Sequence, residues 1–267
     1  MPELTLTAPA FARTVRGTGP GLLLAHGAGG GVAANYGPIL DGLAAGHRVV
    51  GIDYPGTGDT PRSAEPLLLD DLADQLVSAA RAEGLETFAA VGYSLGTAVA
   101  VRAAARHPER VTALVLTAPF ARPTARLRLN AELWQDLYAS GAHTALARFL
   151  VSHALGATAL EALPGGELDA LVRGAASTLP SGSAEHAELV TRVDVREDLA
   201  RITAPTLVIS TTGDLLVTPD LHREVADTLP GAELVELATG HLPFAEDPDG
   251  WLGHIAAFLN RQAALRG

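Results

Sequence analysis

The chain reads as an α/β fold, a mostly parallel sheet covered by helices on both faces. Short apolar runs bounded by turn residues alternate with helical patterns, which is how strands buried on both faces are spaced. With 267 residues, 48% hydrophobic and 18% charged, the chain is long enough for one large core and too apolar to be disordered. In chain order, Leu22 to Ala25 and Val49 to Ile52 read as buried strands. Leu67 to Arg81 follows as an amphipathic helix, with Leu68, Leu69, Leu72, Leu76 and Val77 apolar between acids. Phe88 to Val91 is a strand, Leu95 to Arg106 a helix of small apolar residues ended by Pro108, and Val111 to Leu116 a further strand.

From about Arg122 to Val195 the strand pattern gives way to helical stretches interrupted by Gly141, Gly156, Pro164, Pro180 and Gly182. This predicts a helical insertion. Its first stretch places Leu129, Leu133, Trp134, Leu137 and Tyr138 on one stripe, and the next groups Leu146, Phe149 and Leu150. Such stripes either glue the insertion to the core or form a greasy lid over a pocket. Ala204-Pro205-Thr206 then opens a strand through Ile209, a helix starts near Pro219, Glu233 to Leu237 is a last short strand, and Trp251 to Leu265 a terminal helix. There is no internal repeat or low-complexity linker.

Composition excludes whole mechanisms. All 19 basic residues are arginine and cysteine is absent, so there is no lysine for a Schiff base or a Walker loop, no thiolate nucleophile and no disulfide. A net charge of −11 leaves no basic face for nucleic acid. No apolar run approaches a membrane span. The start MPELTLTAPAFARTV has no basic segment followed by an apolar one, so a cytoplasmic location is expected. No histidine pair at ligand spacing has a third ligand nearby, so no metal and no cofactor are expected.

The stretch Gly92-Tyr93-Ser94-Leu95-Gly96 is a G-x-S-x-G between an apolar strand and a small-residue helix. A serine there sits on a tight, strained turn with its hydroxyl above the sheet. The bland alternative is a glycine-rich turn in which Ser94 caps the helix. A serine hydroxyl needs a base, and among nine histidines His241 stands out, in a Thr239-Gly240-His241 loop between the last strand and the terminal helix. Most of the others read as solvated surface, and His26, at a strand end, reads as a brace for the loop after it. Asp214 follows the Thr206 strand in Thr211-Thr212-Gly213-Asp214, where an acid would orient the imidazole; Asp194, Asp198 and Asp220 read as facing water. The loop His26-Gly27-Ala28-Gly29-Gly30-Gly31 supplies the Ala28 amide, which with that of Leu95 would hold an oxyanion. Its glycines miss the G-x-G-x-x-G spacing of a nucleotide site.

These pieces together resemble the α/β-hydrolases, the large family of esterases, lactonases, carbon–carbon bond hydrolases and small thioesterases. The likeness covers nearly the whole chain and adds Asp53-Tyr54-Pro55-Gly56-Thr57-Gly58 and Pro108-Glu109-Arg110-Val111. It implies an eight-stranded, mostly parallel sheet, a core of residues 1–121 and 196–267, and a helical cap, 122–195, inserted after the sixth strand. Thr97 and Thr211 stand where many relatives have glycine. Serine at the elbow argues against the aspartate-nucleophile dehalogenases and epoxide hydrolases, and Ala28 argues against cofactor-free haloperoxidases, which usually have Trp there.

The expected function is a serine hydrolase using Ser94, Asp214 and His241 on a small or medium apolar ester, lactone or thioester, with Trp134, Tyr138 and Phe149 of the cap against the substrate. The competing readings are a cyclase, acyltransferase or lyase on the same residues, and a ligand-binding receptor with a relict triad. The only partner expected is a small-molecule substrate; oligomeric state is not legible.

Overall fold

The computed structural model describes residues 11–265. Most of the amino-terminal stretch behind the expected location lies outside the described residues. The chain runs through β1 (Arg13–Arg16), β2 (Gly21–Ala25), α1 (Val32–Ala44), β3 (Arg48–Ile52), α2 (Leu69–Ala82), β4 (Phe88–Tyr93), α3 (Leu95–Arg106) and β5 (Val111–Thr117). Five helices follow without a strand: α4 (Ala125–Ala139), α5 (His143–Ala154), α6 (Ala157–Glu161), α7 (Glu167–Ser177) and α8 (Ser183–Arg192). The chain then returns through α9 (Arg196–Leu199), β6 (Thr206–Thr211), α10 (Pro219–Thr228), β7 (Glu233–Leu237), α11 (Pro243–Glu246) and α12 (Pro248–Ala264).

The strands lie in the order β1-β3-β2-β4-β5-β6-β7. β1 pairs antiparallel with β3 and every other pair is parallel. Among the described residues the sheet has seven strands, not the eight expected, because the short β1 alone forms its antiparallel edge. The helical insertion therefore follows the fifth described strand.

Successive strand residues face opposite sides of a sheet, and the core divides accordingly. Leu23, Ala25, Val50 and Ile52 pack with α2 and α3, whereas Leu22, Leu24, Val49 and Val91 pack with α1 and α12. On the second side Trp251 of α12 is fully buried, donates from Nε1 to Thr117 Oγ1 at 2.9 Å and stacks on Tyr36 with ring centres 5.4 Å apart. The Tyr36 hydroxyl donates in turn to the Ala25 carbonyl at 2.9 Å, so one cluster joins two helices to the ends of β2 and β5.

The helical stripe of α4 differs from expectation. Leu129 and Leu133 are exposed, at 62% and 43%, while Leu127 and Ala131 are buried. The inward stripe is Leu127, Ala131, Trp134 and Tyr138, rotated because alanine and one leucine pack against Leu189 and Val190 of α8. Helix α1, with Pro38 inside it, carries no pattern that announces it.

Replacing Trp251 with Ala should lower unfolding free energy by about 3–5 kcal/mol, the usual cost of an aromatic-sized core deletion. Urea denaturation followed by circular dichroism measures it, and a loss under about 1 kcal/mol would show that this cluster is not a keystone.

Candidate active site

Four loops at the carboxyl ends of strands converge on one point, the usual location for ligands in such sheets. Ser94 stands between β4 and α3 with φ 52° and ψ −122°, a region that costs a non-glycine residue about 1–3 kcal/mol. The packing around it enforces the turn. A Cβ on Gly96 would lie 1.9 Å from the Ala25 carbonyl oxygen, and one on Gly92 would lie 2.5 Å from the Gly96 oxygen. Helix α3 thus sits so close to β2 and β4 that neither position has room for a side chain.

The Ser94 side chain makes no capping bond to the helix. Its Oγ instead lies 3.0 Å from His241 Nε2. His241 Nδ1 donates to Asp214 Oδ2 at 2.6 Å, so serine, imidazole and carboxylate form one continuous line. Asp214 is held from all sides: Thr211 Oγ1 donates to Oδ2 at 3.0 Å, and the Leu216 and Val217 amides donate to Oδ1 at 2.9 and 3.0 Å. Thr211 is therefore a partner of the acid.

The histidine loop is fastened from several sides. The Tyr93 hydroxyl donates to the His241 carbonyl at 2.7 Å, and the His241 amide donates to the Ala154 carbonyl of the insertion at 2.6 Å. The carboxylate of Glu246 accepts from the Gly156 amide at 3.2 Å and from the Gly240 amide at 2.9 Å. Glu246, which sequence reasoning did not single out, therefore ties the end of α5 to the loop that carries His241.

Ala28 follows β2 and lines the same cavity as Ser94 and His241, and Leu95 opens α3 directly after Ser94. His26 braces this loop: its Nδ1 donates to the Gly27 carbonyl at 2.8 Å and its Nε2 accepts from the Tyr54 amide at 3.0 Å. Asp53 accepts from the Val32 amide at 2.7 Å and so caps α1 from β3; its burial raises the carboxyl above its usual range.

Two histidines expected at the surface are fully buried. His186 of α8 and His222 of α10 have 0% exposure. His222 Nδ1 pairs with Ser210 Oγ at 3.1 Å, and its Nε2 lies 3.9 Å from Asp214 Oδ2. Burial lowers His26 to about 3, and His186 and His222 to about 4, in the last case against the opposing pull of Asp214. Asp198, also expected to face water, is buried against Arg102 at 2.7 Å. His186 and Asp198 meet partners 131 and 96 residues away, and His222 meets the strand and turn before its own helix, so local polarity does not reveal these contacts.

The cavity above Ser94 encloses about 610 Å³, within the range of small-molecule sites. Trp134, Phe149, Leu150, Leu127 and Val190 supply apolar wall from the insertion, and Phe120 and Phe244 from the core. Tyr138 is not on this wall. Its hydroxyl donates to the Pro180 carbonyl at 3.0 Å and its ring stacks on His143, which holds the side chain among other segments of the insertion. The arrangement can activate a hydroxyl by proton transfer and hold an apolar molecule beside it.

A family profile described as alpha/beta hydrolase fold matches residues 20–248. The chain is 33% identical over 247 residues to a pyrrolizixenacetamide deacetylase of Xenorhabdus hominickii, covering 92% of each chain. It is 30% identical over 261 residues to a pimeloyl-[acyl-carrier protein] methyl ester esterase of Chromobacterium violaceum, covering 92% of this chain and 97% of that one. The enol-lactonase structure from Burkholderia xenovorans LB400 superposes with a TM-score of 0.82 at 23% identity, covering 94% of this chain and 96% of that one. The protein belongs to the α/β-hydrolase fold family and is an enzyme of the hydrolase class.

Glu246→Ala strands two backbone donors. It should cost about 1–3 kcal/mol of stability and lower kcat about tenfold by loosening His241, measured by thermal melts and steady-state kinetics. Retention of both values would show that the clamp is dispensable.

The three buried histidines also make stability fall with acid. Each is neutral in the folded state with a lowered pKa, whereas the unfolded chain binds a proton at about 6.5. Their contribution is complete above that pH and shrinks as pH falls towards 4. Between pH 7 and 5 the loss is about 2 kcal/mol for each histidine, read as a lower urea midpoint; an unchanged midpoint would contradict neutral burial.

Proposed function

We propose that the protein is a serine hydrolase working through an acyl-enzyme on Ser94. The observation that carries this is the unbroken line Ser94 Oγ, His241 Nε2, His241 Nδ1 and Asp214 Oδ2, opening into the cavity that Ala28 also lines. His241 Nε2 takes the Ser94 proton as Oγ bonds to the acyl carbon, while Asp214 holds the imidazole tautomer and stabilises the imidazolium. The Ala28 and Leu95 amides face the developing oxyanion. Collapse breaks the bond to the leaving group, which takes the proton from His241. Water, deprotonated by the same nitrogen, then attacks the acyl carbon; the Ser94 oxygen departs with that proton and the acid is released.

The wall argues for a neutral, largely apolar substrate. Among the described residues that line the cavity there is no arginine, and the chain has no lysine, so a carboxylate or phosphate on the substrate would find no counter-charge. The volume suits a small or medium ester, lactone or thioester, and an amide is included because one relative is named a deacetylase. Trp134 and Phe149 are the insertion residues that would meet it. This makes residues 122–195 a cap over the site, with the core formed by the chain on either side.

Intact mass after fluorophosphonate treatment, with turnover of p-nitrophenyl esters of increasing length, tests the reading. Wild type should gain one adduct and hydrolyse the esters, and Ser94→Ala should do neither, with kcat down by about 10⁴-fold or more. Wild-type-like turnover in Ser94→Ala would sink the assignment. Adduct without turnover of any ester would move the reading to acyl transfer or cyclisation.

A further inference from the structure

We propose that His186, on the inserted helix α8, is a positioning residue for the oxyanion hole. This rests on the serine-hydrolase reading of Ser94. Its ring is buried with 0% exposure and both nitrogens are engaged: Nδ1 accepts from the Gly29 amide at 3.1 Å, and Nε2 donates to the Pro55 carbonyl at 3.0 Å. Those two bonds assign the tautomer, with the proton on Nε2. The ring stands edge-on to Tyr54, with centres 5.9 Å apart, and 6.0 Å from the ring of His26.

The geometry connects this to the oxyanion through the peptide planes of the loop. In a trans peptide the N–H points opposite to the preceding C=O. The Gly27 carbonyl accepts from His26 Nδ1 at 2.8 Å and from the Gly30 amide at 3.3 Å. That carbonyl therefore points into the core, and the Ala28 N–H of the same peptide unit points away from it. His186 holds the next unit by its grip on the Gly29 amide. Two histidines, one from the core and one from the insertion, thus hold the peptide units on either side of Ala28. Gly29 has φ +64°, and a Cβ there would lie 2.6 Å from the Trp134 ring, so the loop passes directly under that indole.

Helix α8 is itself held against the core. The Gly182 amide donates to the Gly56 carbonyl at 3.0 Å, and a Cβ on Gly182 would lie 2.2 Å from the Pro55 oxygen. Ser183, one turn before His186, accepts from Trp134 Nε1 at 2.9 Å. The same short helix therefore places the cavity's tryptophan and clamps the loop that stabilises charge. An insertion serving only as a lid would need neither bond of His186.

A donor must stand where the oxyanion forms, and a misaimed one loses much of what a missing one loses. His186→Phe keeps a ring of similar size and removes both bonds. With p-nitrophenyl butyrate it should lower kcat/KM about 10–100-fold with KM moved less than about threefold. The inhibition constant of butylboronic acid, which becomes tetrahedral on Ser94, should rise by the same factor as kcat/KM falls. His186→Gln, able to accept from one side and donate to the other, should restore activity to within about fivefold of wild type. Should the phenylalanine protein fail to melt cooperatively, His186→Asn, too short to span Gly29 and Pro55, takes its place. A rise in KM alone, boronate affinity unchanged while turnover falls, or a glutamine protein no better than the phenylalanine one would each overturn the clamp. A wild type that neither turned over the ester nor bound the boronate would instead overturn the hydrolase reading, and the clamp with it.

Discussion

The whole site depends on how closely helix α3 approaches the strands beneath it. A Cβ on Gly96 would stand 1.9 Å from the Ala25 oxygen, so the helix lies in contact with backbone, where no side chain fits. That contact forces the chain to turn within one residue, and the residue at the turn is Ser94, with its positive φ. The strain is tolerable because the elbow is anchored on both sides: the Ser94 amide donates to the Thr117 carbonyl at 3.0 Å, and Thr97 Oγ1 donates to the Ser94 carbonyl at 2.6 Å. Thr97 thus takes part in closing the turn. A rigid position for Ser94 is what lets the other loops be aimed at a fixed point.

The helical insertion meets the core along two seams, one on each side of Ser94. On one side Ala154 and Gly156 hold the His241 loop; on the other, Gly182 and His186 hold the loops after β2 and β3. The cavity walls and the supports of the loops around Ser94 are consequently the same segments. Such sharing explains why polar side chains are buried there without charge partners. His186 has one donor and one acceptor to meet, and a neutral imidazole satisfies both, which burial favours over the charged form.

Much of this was legible in the chain. Ser94, Asp214 and His241 each stand in a local pattern, a strand followed by a turn, whose geometry depends on near neighbours, and α3 and β7 begin and end where the pattern places them. Other features were not. Helix α1 contains glycine and proline and is stabilised by its contacts with the sheet and α12 instead of by its own propensities. The face of α4 was misjudged because leucine signals burial more loudly than alanine, yet Ala131 is inside and Leu129 outside. His186, His222 and Asp198 carry no local mark of burial, and Glu246 looks like any acid near a helix start.

Patterns of apolar residues and glycines over a few positions specify the α/β architecture, the elbow and the order of Ser94, Asp214 and His241, because strand burial and tight turns depend on atoms close together along the chain. Which side of α4 lines the cavity, the burial of His186 between two core loops, and which amide of the insertion Glu246 holds are decided by segments brought together from far apart. Gly29 and His186 are 157 residues apart, and their hydrogen bond exists only once α8 is seated against the core. Hydrogen-bond direction and desolvation are properties of the assembled neighbourhood, so they become visible only in the folded molecule.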